Sequence, residues 1–158
     1  MSEKKTLLVG MAPGPRTDPR APLLPYPKNS AGYKLAKLTG LSHYRYLQNY
    51  ERINCLTMFP GAHMHQKGDR FPMREARGAA GVHVQHFPGR RVIFVGRKTA
   101  EAFGWPRGKL DFFDWARCPE WCYDAAVVPH ASGCNLFWNE PGNKERALVF
   151  FQRELESR

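Results

Sequence analysis

Two stretches of this 158-residue chain hold residue types that can act on a ligand. The first is Gly10-Met11-Ala12-Pro13-Gly14-Pro15, a Gly/Pro turn directly after an apolar run. Such a turn brings backbone N–H groups close to a ligand, because no Cβ blocks the approach. The second is Pro129-His130-Ala131-Ser132-Gly133-Cys134-Asn135-Leu136-Phe137-Trp138-Asn139. It sets a histidine two residues before a serine, then continues with small, polar and bulky apolar residues. Taken alone, His130 reads first as a hydrogen-bonded structural histidine, and second as a group that moves or stabilises charge. The four cysteines are the remaining reactive set. Cys118-x-x-x-Cys122 followed by His130 and Cys134 lacks the tight pairs of zinc sites, so reduced thiols and no metal are expected.

The elements that must position these stretches are legible from apolar runs. Four strands are expected: Thr6 to Gly10, Arg52 to Met58, Arg91 to Gly96 and Asp124 to His130. Continuous apolar runs separated by helix-like segments indicate a mainly parallel sheet covered on both faces. Helices are expected from Ser30 to Leu38 behind a Ser30 cap, from Met73 to Phe87 after Pro72, from Thr99 to Phe103, and from Lys144 to Leu155. The fold class is therefore α/β, a three-layer α/β/α sandwich around a four-stranded sheet, in one domain spanning 1–158. The stretch from Pro13 to Pro27 holds six prolines and reads as a long structured loop; loops of that length inside a compact domain usually carry function. In such sheets ligands bind beyond the carboxyl ends of the strands. Four segments lie there: Gly10 to Pro27, Asn54 to Gly61, Gly96 to Thr99, and His130 to Asn139.

Charge narrows the partner. Lys and Arg total 24 against 14 acids, a net charge of +10. Residues 1–100 hold 17 basic and 5 acidic side chains, while residues 101–158 hold 7 and 9. A basic surface over most of a small domain attracts polyanions, and nucleic acid is the usual one; generic solubility charge is the alternative. No run approaches the roughly 18 apolar residues of a membrane span, and the apolar stretch after Met1 is too short for a signal peptide. A cytoplasmic protein without a membrane partner is expected.

Together and in this order, the two stretches resemble the signature motifs of the uracil-DNA glycosylase superfamily. Gly10-Met11-Ala12-Pro13-Gly14 is similar to that family's GMNPG, GINPG, GEAPG and GLAPA versions, and His130-Ala131-Ser132-Gly133 to its HPS-G motif. Between them, Asn29-Ser30-Ala31-Gly32-Tyr33-Lys34-Leu35 looks like the family's "aG..L" helix start, and Asn54 stands where the family has a strand-borne asparagine. Arg74-Glu75-Ala76 and the segment Val92 to Ala100 are similar to its "EA … LG..A" stretch. The resemblance covers nearly the whole chain.

What the resemblance implies is a monofunctional DNA glycosylase, monomeric, without cofactor, that flips a base from DNA and hydrolyses its N-glycosidic bond. Met11, Ala12 and Gly14 would line the base pocket, Tyr26 would stack on the flipped ring, and Asn54 would read its hydrogen-bonding edge. His130 would stabilise charge building on the pyrimidine O2. Pro13, Ser132, Gly133 and Asn135 would hold the DNA strand, and Leu136 or Phe137 would wedge into the vacated stack. This chain departs from the pattern at Ala12, where several branches place an Asp or Asn that orients the attacking water. Asn29 is the expected substitute and Asp18, the only carboxylate between Glu3 and Glu51, is the alternative. Ala131 replaces the usual proline, and the absence of cysteines before Cys55 argues against an iron–sulfur cluster. Gly14, where the strict uracil branch has tyrosine, implies room near C5, and so uracil or 5-substituted, including hypermodified, cytosines. A catalytically inactive base- or DNA-binding module and a nucleotide-processing enzyme are the competing classes.

Overall fold

The computed structural model describes residues 4–62, 64, 70–132 and 135–158. Its centre is a five-stranded sheet built from β1 (Thr6–Gly10), β2 (Tyr50–Asn54), β3 (Arg91–Val95), β4 (Ala116–Cys118) and β5 (Tyr123–Val128). Their spatial order is β2-β1-β3-β5-β4. The three pairings that join β2, β1, β3 and β5 are parallel, whereas β4 runs antiparallel to β5 at the edge.

Alternation along the strands divides the core into two layers. Leu8, Ile93, Val95, Ala126 and Val128 face one side and pack with Leu35 and Ala36 of α1 (Ala31–Thr39), Tyr46 of α2 (His43–Asn49), and Phe150 and Phe151 of α5 (Asn143–Glu156). Leu7, Val9, Val92, Phe94, Ala125 and Val127 face the other, against Val84, Phe87 and Ala100. That second layer is carried by the short 3-10 turn after α3 (Met73–His83) and by α4 (Arg97–Ala102), while Ala76 of α3 packs with Cys55, Phe71 and Ala102 in a third cluster. Apolar side chains on both faces of each parallel strand explain why those runs are continuous in sequence rather than alternating. The three-layer α/β architecture is as expected.

Several details differ from the sequence reading, each for a physical reason. The sheet has five strands, not four. The fifth, Ala116-Arg117-Cys118, has no apolar run and owes its extended form to the ladder Ala116↔Ala125 through Cys118↔Tyr123. Strand β2 spans Tyr50–Asn54 instead of running to Met58. Beyond Asn54 only the Cys55 and Leu56 N–H groups still reach the end of β1, and Met58 stands 76% exposed. Strand β5 stops at Val128, before Pro129, which has no N–H to give to a ladder. Helix α2 was not signalled at all, because only Tyr46 of its seven residues is buried and the apolar period is missing. Its start is nonetheless conventional: Ser42 accepts from the Arg45 N–H, as Ser30 accepts from Tyr33 N–H at the start of α1. Among the described residues, no helix is long and apolar enough to cross a membrane.

The strand order places the site. The chain leaves β1 for β2 on one side and then crosses to β3 on the other, so the loops after β1 and β3 part in opposite directions. A crevice opens at such a switch point, beyond the carboxyl ends of the strands.

Candidate functional site

A cavity of about 700 Å³ occupies that crevice. It is lined from all four parallel strand ends: Met11, Ala12, Pro13 and Gly14 after β1, Asn54 at the end of β2, Lys98 after β3, and His130, Ser132 and Asn135 after β5. Asn29 and the start of α1 close a further wall.

The register explains how β1 and β2 meet there. Gly10 pairs with Asn54, and the ladder is extended by Cys55 N–H donating to Gly10 O and Leu56 N–H donating to Met11 O, both at 2.8 Å. A Cβ on Gly10 would lie 2.5 Å from Asn54 Oδ1, so glycine is required for the amide to fold over the strand end. Asn54 is 9% exposed, it lines the cavity, and its side-chain amide makes no hydrogen bond to the described residues. Its polar atoms are not sealed from solvent but open onto the cavity, where water or a ligand can pair with them. Gly32 performs the matching service for α1: a Cβ there would stand 2.1 Å from Leu24 O. The helix start therefore seats directly on the backbone of the proline-rich loop.

Three hydrogen bonds from described residues hold His130. Asn135 Nδ2 and Trp138 Nε1 each donate to its backbone carbonyl at 2.9 Å. The Ser132 backbone N–H donates to its Nδ1 at 3.2 Å. A backbone N–H can only donate, so Nδ1 offers a lone pair and the proton of the neutral ring sits on Nε2. A neutral imidazole with an Nε2–H is a donor suited to an oxygen that gains negative charge. Ala131, in place of a proline, is buried and packs into the core beside α1 and α5, which keeps the loop in place.

The remaining expected site residues separate into groups. Asn29 lines the cavity and has φ 70°, a left-handed conformation that asparagine tolerates better than most side chains. Asp18 is not among the lining residues. Its carboxylate binds the Arg20 side chain at 3.2 Å and the Arg20 N–H at 2.9 Å, and these contacts hold its carboxyl below the usual range. Tyr26 is half exposed, 6.3 Å from the His43 ring, and outside the lining. Leu136 is 77% exposed at the tip of a 3-10 turn over Leu136–Asn139, whereas Phe137 is packed against Phe112, Phe113 and Trp138. The two wedge candidates are thus distinguished: Leu136 is free to project, and Phe137 anchors the loop. Gly133 and Cys134 lie outside the described residues.

The space beside Gly14 is not simply open. A Cβ at Gly14 would lie 2.9 Å from Thr17 Oγ1, and Thr17 N–H closes a turn onto Gly14 O at 3.2 Å. A hydroxyl therefore lines the place where a larger side chain would stand. Sequence reasoning also missed three cations on the cavity wall, Lys34, Arg70 and Lys98. Lys98 lies in the strand-end segment already singled out, but nothing in its spacing distinguishes it from a solvated lysine. No carboxylate is among the described lining residues, so the cavity has a positive potential that favours anionic ligands.

The sequence matches no protein-family model and no curated protein.

Proposed function

We propose that the protein is a monofunctional DNA glycosylase, acting in the cytoplasm as a monomer, that removes a flipped pyrimidine by hydrolysis. The observation that carries this reading is the Asn54 amide, which no described residue pairs and which opens onto the same cavity as His130. An amide that both donates and accepts matches the edge of a nucleobase, which presents both kinds of group. The Gly10–Gly14 turn supplies backbone close to the ring, and the Lys34, Arg70 and Lys98 charges favour the flanking phosphates.

In the reaction the bond between C1′ and the base nitrogen breaks with its electron pair leaving on the base. The Nε2–H of His130 stabilises the charge that this places on O2. Water then adds to C1′, loses one proton to solvent, and leaves a hemiacetal, while the base takes up a proton. With alanine at position 12 and no carboxylate on the described wall, bond breaking runs ahead of water attack, and Asn29 orients the water. The candidate bases are uracil and 5-substituted cytosines, with the Thr17 hydroxyl beside the C5 substituent.

A second reading draws support from the same acid-free wall: a module that binds flipped bases without hydrolysing them. The two separate in one assay. DNA carrying uracil, hypoxanthine or 5-modified cytosines is incubated with the protein, treated with alkali and run on a denaturing gel. A glycosylase releases free base and leaves alkali-labile sites. A binding module shifts the DNA and leaves every site intact.

A further inference from the structure

Beside the base cavity lies a second one, of about 580 Å³, between α1, the loop after β5 and the start of α5. The two share Asn29, Lys34, Ser132 and Asn135, so they form adjoining chambers on one wall. We propose that this second chamber holds an unpaired neighbouring nucleotide, so that the protein binds single-stranded DNA in preference to duplex. This deepens the glycosylase reading and rests on it.

The chemistry of the lining points to a nucleotide outside a helix. Its apolar part comes from Leu38, Ala131, Trp138 and Leu148, and its charged part from Lys34, Lys37 and Lys144, opposed among the described residues by Glu145. An apolar, aromatic surface bordered by ammonium groups suits one base lying on the ring with its phosphates on the lysines. A base inside a duplex is already stacked and paired, and gains nothing from such a surface. Trp138 is also fixed before any ligand arrives: its Nε1 donates to His130 O, and its ring packs edge-on against Phe137 at 5.1 Å. A preorganised ring loses little freedom on binding. Because that same indole bond holds the His130 loop, a base lying on Trp138 is registered against the one in the neighbouring cavity.

The test is fluorescence anisotropy with a labelled 12-nucleotide single strand and its duplex, across a salt series. The wild-type full chain is compared with Lys37→Ala/Lys144→Ala and with Arg107→Ala/Lys109→Ala, which removes the same charge from the loop between α4 and β4. We expect the wild type to bind the single strand roughly 10-fold tighter than the duplex. The Lys37→Ala/Lys144→Ala variant should lose roughly 10-fold in single-strand affinity at about 0.1 M salt, with a log–log salt slope shallower by about 1.4, two single-strand phosphate contacts. The control variant should keep the wild-type slope. Equal wild-type affinity for the two forms, or a Lys37/Lys144 variant that matches the control, overturns the proposal. If that happens while free base is still released, the glycosylase reading stands alone. If strand preference and slope behave as expected but no DNA loses a base, hydrolysis falls and the chamber stands.

Discussion

His130 shows how far a single side chain's role follows from its hydrogen bonds. The Ser132 N–H on Nδ1 places the neutral ring's proton on Nε2. Two-bond ¹⁵N–¹H correlation spectra should therefore report the Nε2–H tautomer; an Nδ1–H tautomer would remove the donor from the proposed chemistry. His130→Ala should lower single-turnover base release by about 10²–10³, the usual loss for one such donor, with DNA affinity little changed. The water is tested at Asn29 and Ala12. Because Asn29 has φ 70°, alanine there adds backbone strain, and Asn29→Gly is the cleaner deletion of its amide. Asn29→Gly should slow release, and Ala12→Asn should speed release of uracil while penalising bulky 5-substituents. Unchanged rates and selectivity in both variants would misplace the water. What sequence could not supply at this scale was the setting of each side chain. Asp18 reads as a spare carboxylate, but two residues later Arg20 engages it, and that contact depends on the local turn.

At the scale of elements, the parallel strands were legible because burial on both faces writes continuous apolar runs into the sequence. Strand β4 and helix α2 were not, since Ala116-Arg117-Cys118 and His43–Asn49 take their form from a ladder and a cap rather than from a period. The loops after β1 and β5 were recognisable by glycine, proline and histidine, yet their separation into an anchored Phe137 and a projecting Leu136 needed the packing around Phe112 and Phe113. The close seat of α1 on the proline-rich loop makes a sharp prediction. Gly32→Ala puts a methyl group 2.1 Å from the Leu24 carbonyl, where neither backbone can yield without displacing the pocket wall. It should destabilise the protein by about 1–3 kcal/mol, read as a lower urea midpoint, and reduce base release beyond the loss of folded protein. A variant with wild-type midpoint and rate would mean the helix start moves freely.

Across the whole molecule, one buried network ties the end of α5 to the sheet. Glu154 accepts from the Thr6 hydroxyl, from the Tyr50 hydroxyl at 3.0 Å, and from Arg158 at 2.9 and 3.0 Å. Burial and the Glu154 charge push the Tyr50 phenol upward, so it remains a donor at any ordinary pH. Arg158→Ala leaves the carboxylate buried with only hydroxyl donors and should cost about 3 kcal/mol by urea denaturation; a loss within experimental error would show the carboxylate reaching water. The network lies at the amino-terminal end of β1, away from the cavity at its other end, so refolded Arg158→Ala protein should retain its rate. The central claim is that the crevice at the strand ends hydrolyses the bond between a flipped base and its sugar. Its most direct measurement is single-turnover release of free base from DNA carrying uracil or a 5-modified cytosine, by wild type and His130→Ala. The account predicts released base with one alkali-labile site per base lost, slowed about 10²–10³ in the variant. DNA that is bound by both proteins and keeps every base would contradict it.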